Sequence, residues 1–413
     1  MTDEVSVDVT SVKQITEIIE AAARHDIVAL QKCVDSFSFE GCKAVDVQEP
    51  QKGYTPLHAA VASCGPSAAN GVGGSKADLE QQETNAYESI KVLFENGAIW
   101  NQLDRNDETP GCIAHRLGIE SLYQAMVDAG VRAEVLLNRL DEYEELEDVE
   151  ELDDAEEAPA AARDLADDDG VPQLLDSSKS DVPSESTPAA VDKVESAAYL
   201  SSTLSLDDSK LLDEAQNGVM MAWESDIMAK SADSLLSRPG LKILNIGFGM
   251  GIIDSYIQSH INKPAEHHIV EAHPDVIASL KQKGWFDKPG VTIHNGKWQD
   301  ILPTLVGEGH VFDAIYYDTF AESYHDFKEF FSEHVIGLLD EKGSWSYFNG
   351  MGADRQISYD VYQKIVEIDL MEAGFDIEWA DIDLPDLGKE WNGVKRKYWN
   401  VANYRLPVCR FLD

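Results

Sequence analysis

Three glycines at every second position, Gly247, Gly249 and Gly251, close an apolar run that begins at Leu241. Glycine lets the backbone turn tightly there and approach a ligand with no Cβ in the way. The run predicts a buried strand over 241–246, and the residues after it, 252–261, follow helical spacing. Glycines between a strand and a helix mark the place where a nucleotide-like ligand binds a doubly wound sheet. A dinucleotide fingerprint sets its third glycine three places after the second, and here that place is Ile252. The G-x-G-x-G spacing favours S-adenosylmethionine over a nicotinamide dinucleotide.

Two acidic residues fall where such a ligand would need them. Glu271 ends a predicted strand over 268–271, 20 residues after Gly251, where a carboxylate accepts both hydroxyls of a ribose. That holds for any adenosine-type ligand. Asp318 ends a predicted strand over 312–317, and ligands of open α/β sheets sit outside the carboxyl ends of the strands. A carboxylate there suits a planar guanidinium; capping of the following helix is its alternative role. Trp298 and Gln299 follow a third predicted strand, 291–294, and supply an aromatic plane and an amide for an adenine ring. Core packing is the alternative for Trp298.

These residues need a sheet to bring them together. Further strands are predicted at 344–348, 376–381 and 398–406, with helices at 274–283, 327–339 and 361–373. Repeated βα units imply a mainly parallel sheet. Seven strands with the last two adjacent suit an α/β class I S-adenosylmethionine-dependent methyltransferase fold, seven-stranded and Rossmann-like, over residues 196–413.

The rest of the chain is of different character. Gly53-Tyr54-Thr55-Pro56-Leu57-His58-Ala59-Ala60 matches the turn and first helix of an ankyrin repeat, with a weaker copy from Asp107 to Ala114. About three such repeats fit residues 11–135, with an insertion near 65–82, which predicts an all-α ankyrin-repeat domain preceding the sheet. His58 is expected to be structural. Residues 136–195 read as a flexible acidic linker. From 141 to 195 there are 21 acidic residues against three basic ones, and four prolines.

Bulk properties exclude several function classes. A net charge of −43 argues against general nucleic-acid binding and fits a basic protein partner. No apolar run reaches membrane-spanning length. The five cysteines are scattered without paired metal spacing, which predicts a reducing compartment and no metal site.

The segment from Met220 to Met228, the loop 246–251, the Tyr317-Asp318-Thr319 step and the Tyr347-Phe348-Asn349-Gly350 step resemble guanidinoacetate N-methyltransferases. Together with the ankyrin-like repeats, most of the chain resembles the fungal type IV protein arginine methyltransferases. That resemblance implies transfer of a methyl group from S-adenosyl-L-methionine to the internal (δ, N5) nitrogen of arginine in a protein, a ribosomal protein among the candidates. It implies that Glu224 and Asp318 grip the guanidino group. It further implies that Met221 and Trp223 help enclose the cofactor with the loop residues Gly247, Phe248, Gly249, Met250 and Gly251, that Glu271 holds its ribose, and that Tyr324 and His325 border the substrate cavity. The ankyrin part is expected to bind protein, and the chain to act as a monomer in cytoplasm and nucleus. Two departures are visible. Asn245 replaces an acidic residue usual two places before the first glycine, which leaves the cofactor's amino end to backbone groups. The loop after Asp318 is shorter than in the small-molecule enzymes, which would open the site to a peptide. The double-Glu hairpin and Thr-His-Trp element of type I and II arginine methyltransferases are absent. A small-molecule guanidino methyltransferase and a non-catalytic scaffold with a cofactor-sensing domain are the competing readings.

Overall fold

The computed structural model describes residues 9–65, 76–153, 196–207 and 209–412. The N-terminal part is helical: α1 (Val9–Ala23), α2 (Ile27–Ser36), α3 (Pro56–Ala62), α4 (Lys76–Glu95), α5 (Pro110–Leu117) and α6 (Glu120–Asp153). The two Thr-Pro pairs act as their chemistry demands. Thr55 and Thr109 cap α3 and α5 with their hydroxyls, and a proline fills the first helical position, where its missing N–H costs nothing. His58 is buried and structural. Its Nδ1 pairs with the Thr55 hydroxyl at 2.8 Å, and its Nε2 lies 3.1 Å from the Glu108 carbonyl, tying the start of one Thr-Pro helix to the approach of the next.

Helix α6 differs from expectation: it runs on through Asp153, so the first part of the predicted linker is helical. The remainder of that linker, 154–195, and residues 66–75 of the predicted insertion lie outside the described residues.

After α7 (Ser196–Ser201) comes a small antiparallel sheet that the sequence did not reveal: β1 (Ser205–Leu206), β2 (Lys210–Leu212) and β3 (Gly218–Met221). A 3-10 turn, Ala222–Glu224, leads into α8 (Ser225–Leu235). The large sheet then alternates with helices: β4 (Lys242–Ile246), α9 (Ile252–Ser259), β5 (Glu266–Glu271), α10 (Pro274–Gln282), β6 (Val291–Asn295), α11 (Trp298–Gly307), β7 (Phe312–Tyr317), α12 (Tyr324–Glu329), α13 (Ile336–Leu338), β8 (Leu339–Tyr347), α14 (Gln356–Glu372), β9 (Phe375–Asp383) and β10 (Asn403–Phe411). A π-helical turn, Phe330–Val335, joins α12 to α13 within the predicted helix 327–339.

The seven strands lie in the order β6-β5-β4-β7-β8-β10-β9. Strands β4 to β8 are parallel, and β10 runs antiparallel between β8 and β9. This is the class I methyltransferase sheet. Strand β10 begins later than predicted. Tyr398, Trp399 and Val401 pack into an aromatic-rich cluster instead of joining the ladder.

Both faces of the sheet are covered, which is why its strands read as continuous apolar runs. Ile243 and Tyr316 face α8 and α9, through Met228, Leu235 and Ile257. Leu244, Ile246 and Tyr317 face α11, the π-turn and α14, through Leu302, Phe330 and Leu370. The chain reverses its direction of strand addition between β4 and β7, so a crevice opens at the carboxyl ends there. No described helix is long and apolar enough to cross a membrane.

The N-terminal helices and the sheet domain share a seam along α14. Tyr123 of α6 donates its hydroxyl to Asp360 at 2.5 Å, and Lys364 lies 3.4 Å from Asp128. Gly111 and Gly130 receive Ile357 and Val361.

Candidate active site

The crevice is a cleft of about 680 Å³, counted to its open mouth, lined by residues from both sides of the switch point. Gly247, Gly249, Glu271, Trp298, Gln299 and Asp318 all line it, as the sequence predicts. The glycine loop and the end of β7 are knitted together. Asp318 donates its N–H to the Ile246 carbonyl at 2.8 Å, extending the β4–β7 ladder. Gly247 adopts φ 89°, and any Cβ there would overlap the Asp318 carbonyl. Gly251 caps α9 at φ 76°, and its bare α-carbon rests on the Phe248 ring.

Glu271 is held by backbone. Its Oε2 accepts from the N–H groups of Phe248 at 2.9 Å and Gly249 at 3.3 Å, and its Oε1 from His273 at 2.7 Å. The strand-end carboxylate thus fixes the glycine loop as well as lining the cleft. Burial raises its pKa, and these three N–H groups oppose the rise.

Behind the loop lies a polar cluster that explains Asn245. Its Nδ2 donates to the Gly247 carbonyl at 2.9 Å and to Asp254 Oδ1 at 2.8 Å. Asp254 is itself fully buried against His267, outside the cleft lining.

Asp318 is half-buried, but its Oδ2 is shielded from solvent and has no hydrogen-bond partner among the described residues. Burial, then the charges of Asp254 and Glu271, push its pKa up to about 7. Glu224, 2% exposed, is raised well above the usual carboxylate range by burial and then by Asp318. Tyr316, Tyr398 and Tyr404 each feel both Glu224 and Asp318. The two carboxylates therefore share one electrostatic field, despite their separation in sequence. Glu271 and Asp318 line the crevice, while Glu224 and Asp254 are buried outside its lining, and such a concentration of acidic groups favours cations that restore the balance.

Other predicted residues are placed differently. Met221 and Trp223 do not line the cleft. Met221 is buried among Ile227, Tyr359 and Trp399, and Trp223 packs against Trp391, Tyr398 and Trp399. Met220, the neighbour on the opposite face of β3, lines the cleft instead and accepts the Met250 N–H on its sulfur at 3.2 Å. Phe248 points into the core against Trp285. Trp298 is only 3% exposed, with edge-on contacts to Tyr317, Phe330 and His334. Its indole N–H is spent on Glu322 at 2.7 Å, so the core-packing alternative describes the ring better than stacking on a base. The adjacent Gln299 keeps a buried Oε1 with no partner among the described residues, an acceptor suited to an adenine amino group. Tyr324 and His325 are absent from the cleft lining. The Tyr324 hydroxyl bonds Asp369 of α14, and His325 is exposed in the first turn of α12.

Several residues in the cleft or behind it escaped the sequence reading. Tyr199 of α7 lines the cleft between His273 and Phe320. Glu322 gathers donors from Trp298, Tyr317 and Thr319 and so pins the loop after Asp318. Tyr398 donates to Glu224. Nothing in their local spacing marks them, because each acts on a partner in another element.

Residues 197–398 match the guanidinoacetate N-methyltransferase family. The chain is also similar over nearly its whole length to proteins named Protein arginine N-methyltransferase 2. That of Aspergillus fumigatus is 55% identical over 412 residues, covering 97% of this chain and 96% of the relative. That of Emericella nidulans is 54% identical, covering 99% of each, and that of Aspergillus oryzae 54%, covering 100% and 99%.

Proposed function

Because the chain belongs to the protein arginine N-methyltransferase 2 family, we propose that it methylates the internal δ-nitrogen of an arginine in a basic protein, with Glu224 and Asp318 as the guanidinium clamp. It is an S-adenosylmethionine-dependent arginine methyltransferase. The δ-nitrogen and the clamp are our own reading, and the observation that carries them is the buried Glu224, raised by burial and then by Asp318, whose carboxyl lines the cleft beside the glycine loop.

The residues present fit the cofactor: a glycine loop closed against Asp318, the buried Gln299 acceptor and the Glu271 strand end. When bound, S-adenosylmethionine supplies the methyl group on a positively charged sulfur. Everything else falls to the protein. Arginine is protonated at neutral pH and is a poor nucleophile. Two carboxylates satisfy its planar donors and orient the δ-nitrogen along one line of attack. Asp318, held near neutral pH by its surroundings, is suited to take up the proton that the guanidinium loses. Burial strengthens these contacts by excluding water. A single clamp holds one nitrogen in one pose, which supports monomethylation.

The N-terminal helix pairs, read as ankyrin-like repeats, serve in this proposal as a protein-binding platform. The acidic balance of the whole chain favours a basic substrate.

Mass spectrometry of an arginine-rich protein incubated with labelled cofactor tests the reading. Fragments retaining the label on the δ-nitrogen support it; label on the terminal nitrogens alone overturns it. Turnover of free guanidinoacetate equal to that of protein would replace it with a small-molecule enzyme.

A further inference from the structure

Glu224 receives two hydrogen bonds on the same oxygen. The Met221 N–H reaches Oε1 at 3.0 Å, and the Tyr398 hydroxyl donates to the same atom. Tyr398 stands 174 positions away, in the connection between β9 and β10.

That connection is strapped to the hairpin that leads into Glu224. Lys395 donates its N–H to the Gln216 carbonyl at 2.8 Å, and Gly218 donates to the Arg396 carbonyl at 3.3 Å. Lys210 Nζ reaches the Asn392 carbonyl at 3.2 Å. Gly218 makes room for the phenol: a Cβ there would come 3.0 Å from the Tyr398 ring. Trp223 stacks on one face of that ring, and Trp391 meets it edge-on at 4.9 Å. Backbone straps and flanking rings thus aim the hydroxyl before it meets the carboxylate.

We propose that Tyr398 is a positioning residue for methyl transfer: its hydroxyl fixes Oε1 of Glu224 and leaves Oε2 to the arginine. This rests on the guanidinium-clamp reading above. The charged and titratable groups around Glu224 are Asp318 at the end of β7, Tyr316 within β7, Tyr404 of β10 and Tyr398 itself. Burial and Asp318 both drive Glu224 toward its neutral form. The Met221 N–H and the Tyr398 hydroxyl are the groups that oppose them. A neutral Glu224 would hold a guanidinium poorly.

Tyr398→Phe tests this, since it removes the hydroxyl and keeps the ring. Losing a hydrogen bond to a charged group predicts a fall in kcat of roughly ten- to hundred-fold. The acidic limb of the kcat–pH profile should move to higher pH, because the charged form of Glu224 has lost a donor. Affinity for S-adenosylhomocysteine should stay within about twofold, since Tyr398 does not line the cofactor cleft. In a Glu224→Gln background, Tyr398→Phe should cost no further residual turnover. An unmoved limb overturns the proposal, whether kcat falls or not. So does loss of S-adenosylhomocysteine binding, which would make the phenol part of the scaffold. Glu224→Gln separates the two levels. Full turnover in that variant sinks the clamp itself, whereas an inactive Glu224→Gln beside a fully active Tyr398→Phe sinks only the role of Tyr398.

Discussion

The cleft and the seam along α14 are built on opposite principles. At the cleft, acidic groups are buried beside one another, and Asp318 Oδ2 and Gln299 Oε1 have no partner among the described residues. At the seam, polar groups are paired, as in Tyr123 with Asp360, and the remaining space is filled by shape. Gly111 and Gly130 are hollows into which Ile357 and Val361 fit. A Cβ on Gly130 would lie 2.7 Å from Val361 and 3.1 Å from the Trp100 ring. Unpaired buried polar groups cost stability and create a site for a ligand, whereas close packing creates stability and no site. Mutations in the two regions should therefore move activity and stability in different proportions.

The largest effect is expected at the cleft. Asp318→Asn keeps the shape and removes the charge, so kcat should fall by about 10²-fold or more. The thermal midpoint at pH 8 should hold or rise, because a disfavoured buried charge is gone. A lower midpoint with intact turnover would reverse the comparison.

Next comes the seam. Gly111 occupies the position held by Leu57 in the first Thr-Pro helix. Gly111→Leu gives this helix the residue found at Leu57 but collides with Ile357. Overpacking of this kind costs about 1–3 kcal/mol. Hydrogen exchange should quicken in α5 and α14, with affinity for S-adenosylhomocysteine unchanged. Adding Ile357→Ala should recover part of the loss. Exchange unchanged by Gly111→Leu would deny that the seam depends on that hollow.

A smaller effect is expected with pH. The folded protein holds a proton on Asp318 that the unfolded chain releases near the ordinary value of 3.8, since the folded pKa is pushed up to about 7. The contribution of this group to stability therefore falls as pH rises between those two values and is constant outside them. Urea unfolding across that range should show the slope, and Asp318→Asn should remove it. Binding of S-adenosylmethionine should release protons near pH 7, measurable by calorimetry in buffers of different ionisation heat.

The smallest effect belongs to the rim of the seam. Lys364 and Asp128 are about half exposed at 3.4 Å. Lys364→Ala should change stability by about 0–1 kcal/mol, less at high salt. A larger loss would mean that charge, and not shape, holds the seam.

Much of the catalytic domain was legible before folding. The glycine loop, Glu271 and Asp318 are all strand-end features, and strand ends follow from local apolar runs and turn residues. The Thr-Pro caps were readable for the same reason. Errors collected where a side chain had to choose between neighbours. Met221 was expected at the cofactor, yet β3 turns Met220 to the cleft and Met221 to the core. An unseen short strand decided that, since neighbouring residues of a strand face opposite ways. Trp298 was expected beside a base, yet Glu322 takes its N–H.

By itself, then, the sequence determined the succession of the seven large-sheet strands along the chain, the place of the glycines and the acidic ends of β5 and β7. These depend on residues within a few positions of each other. Tertiary structure alone decided that Tyr398 meets Glu224, that Asn245 bonds the buried Asp254, and that the space beside Gly111 is filled by Ile357. Each of these joins elements far apart in the chain or packed together only on folding. Hydrogen bonding and close packing act through space over a few ångströms, and no local spacing records which distant partner will fill that distance.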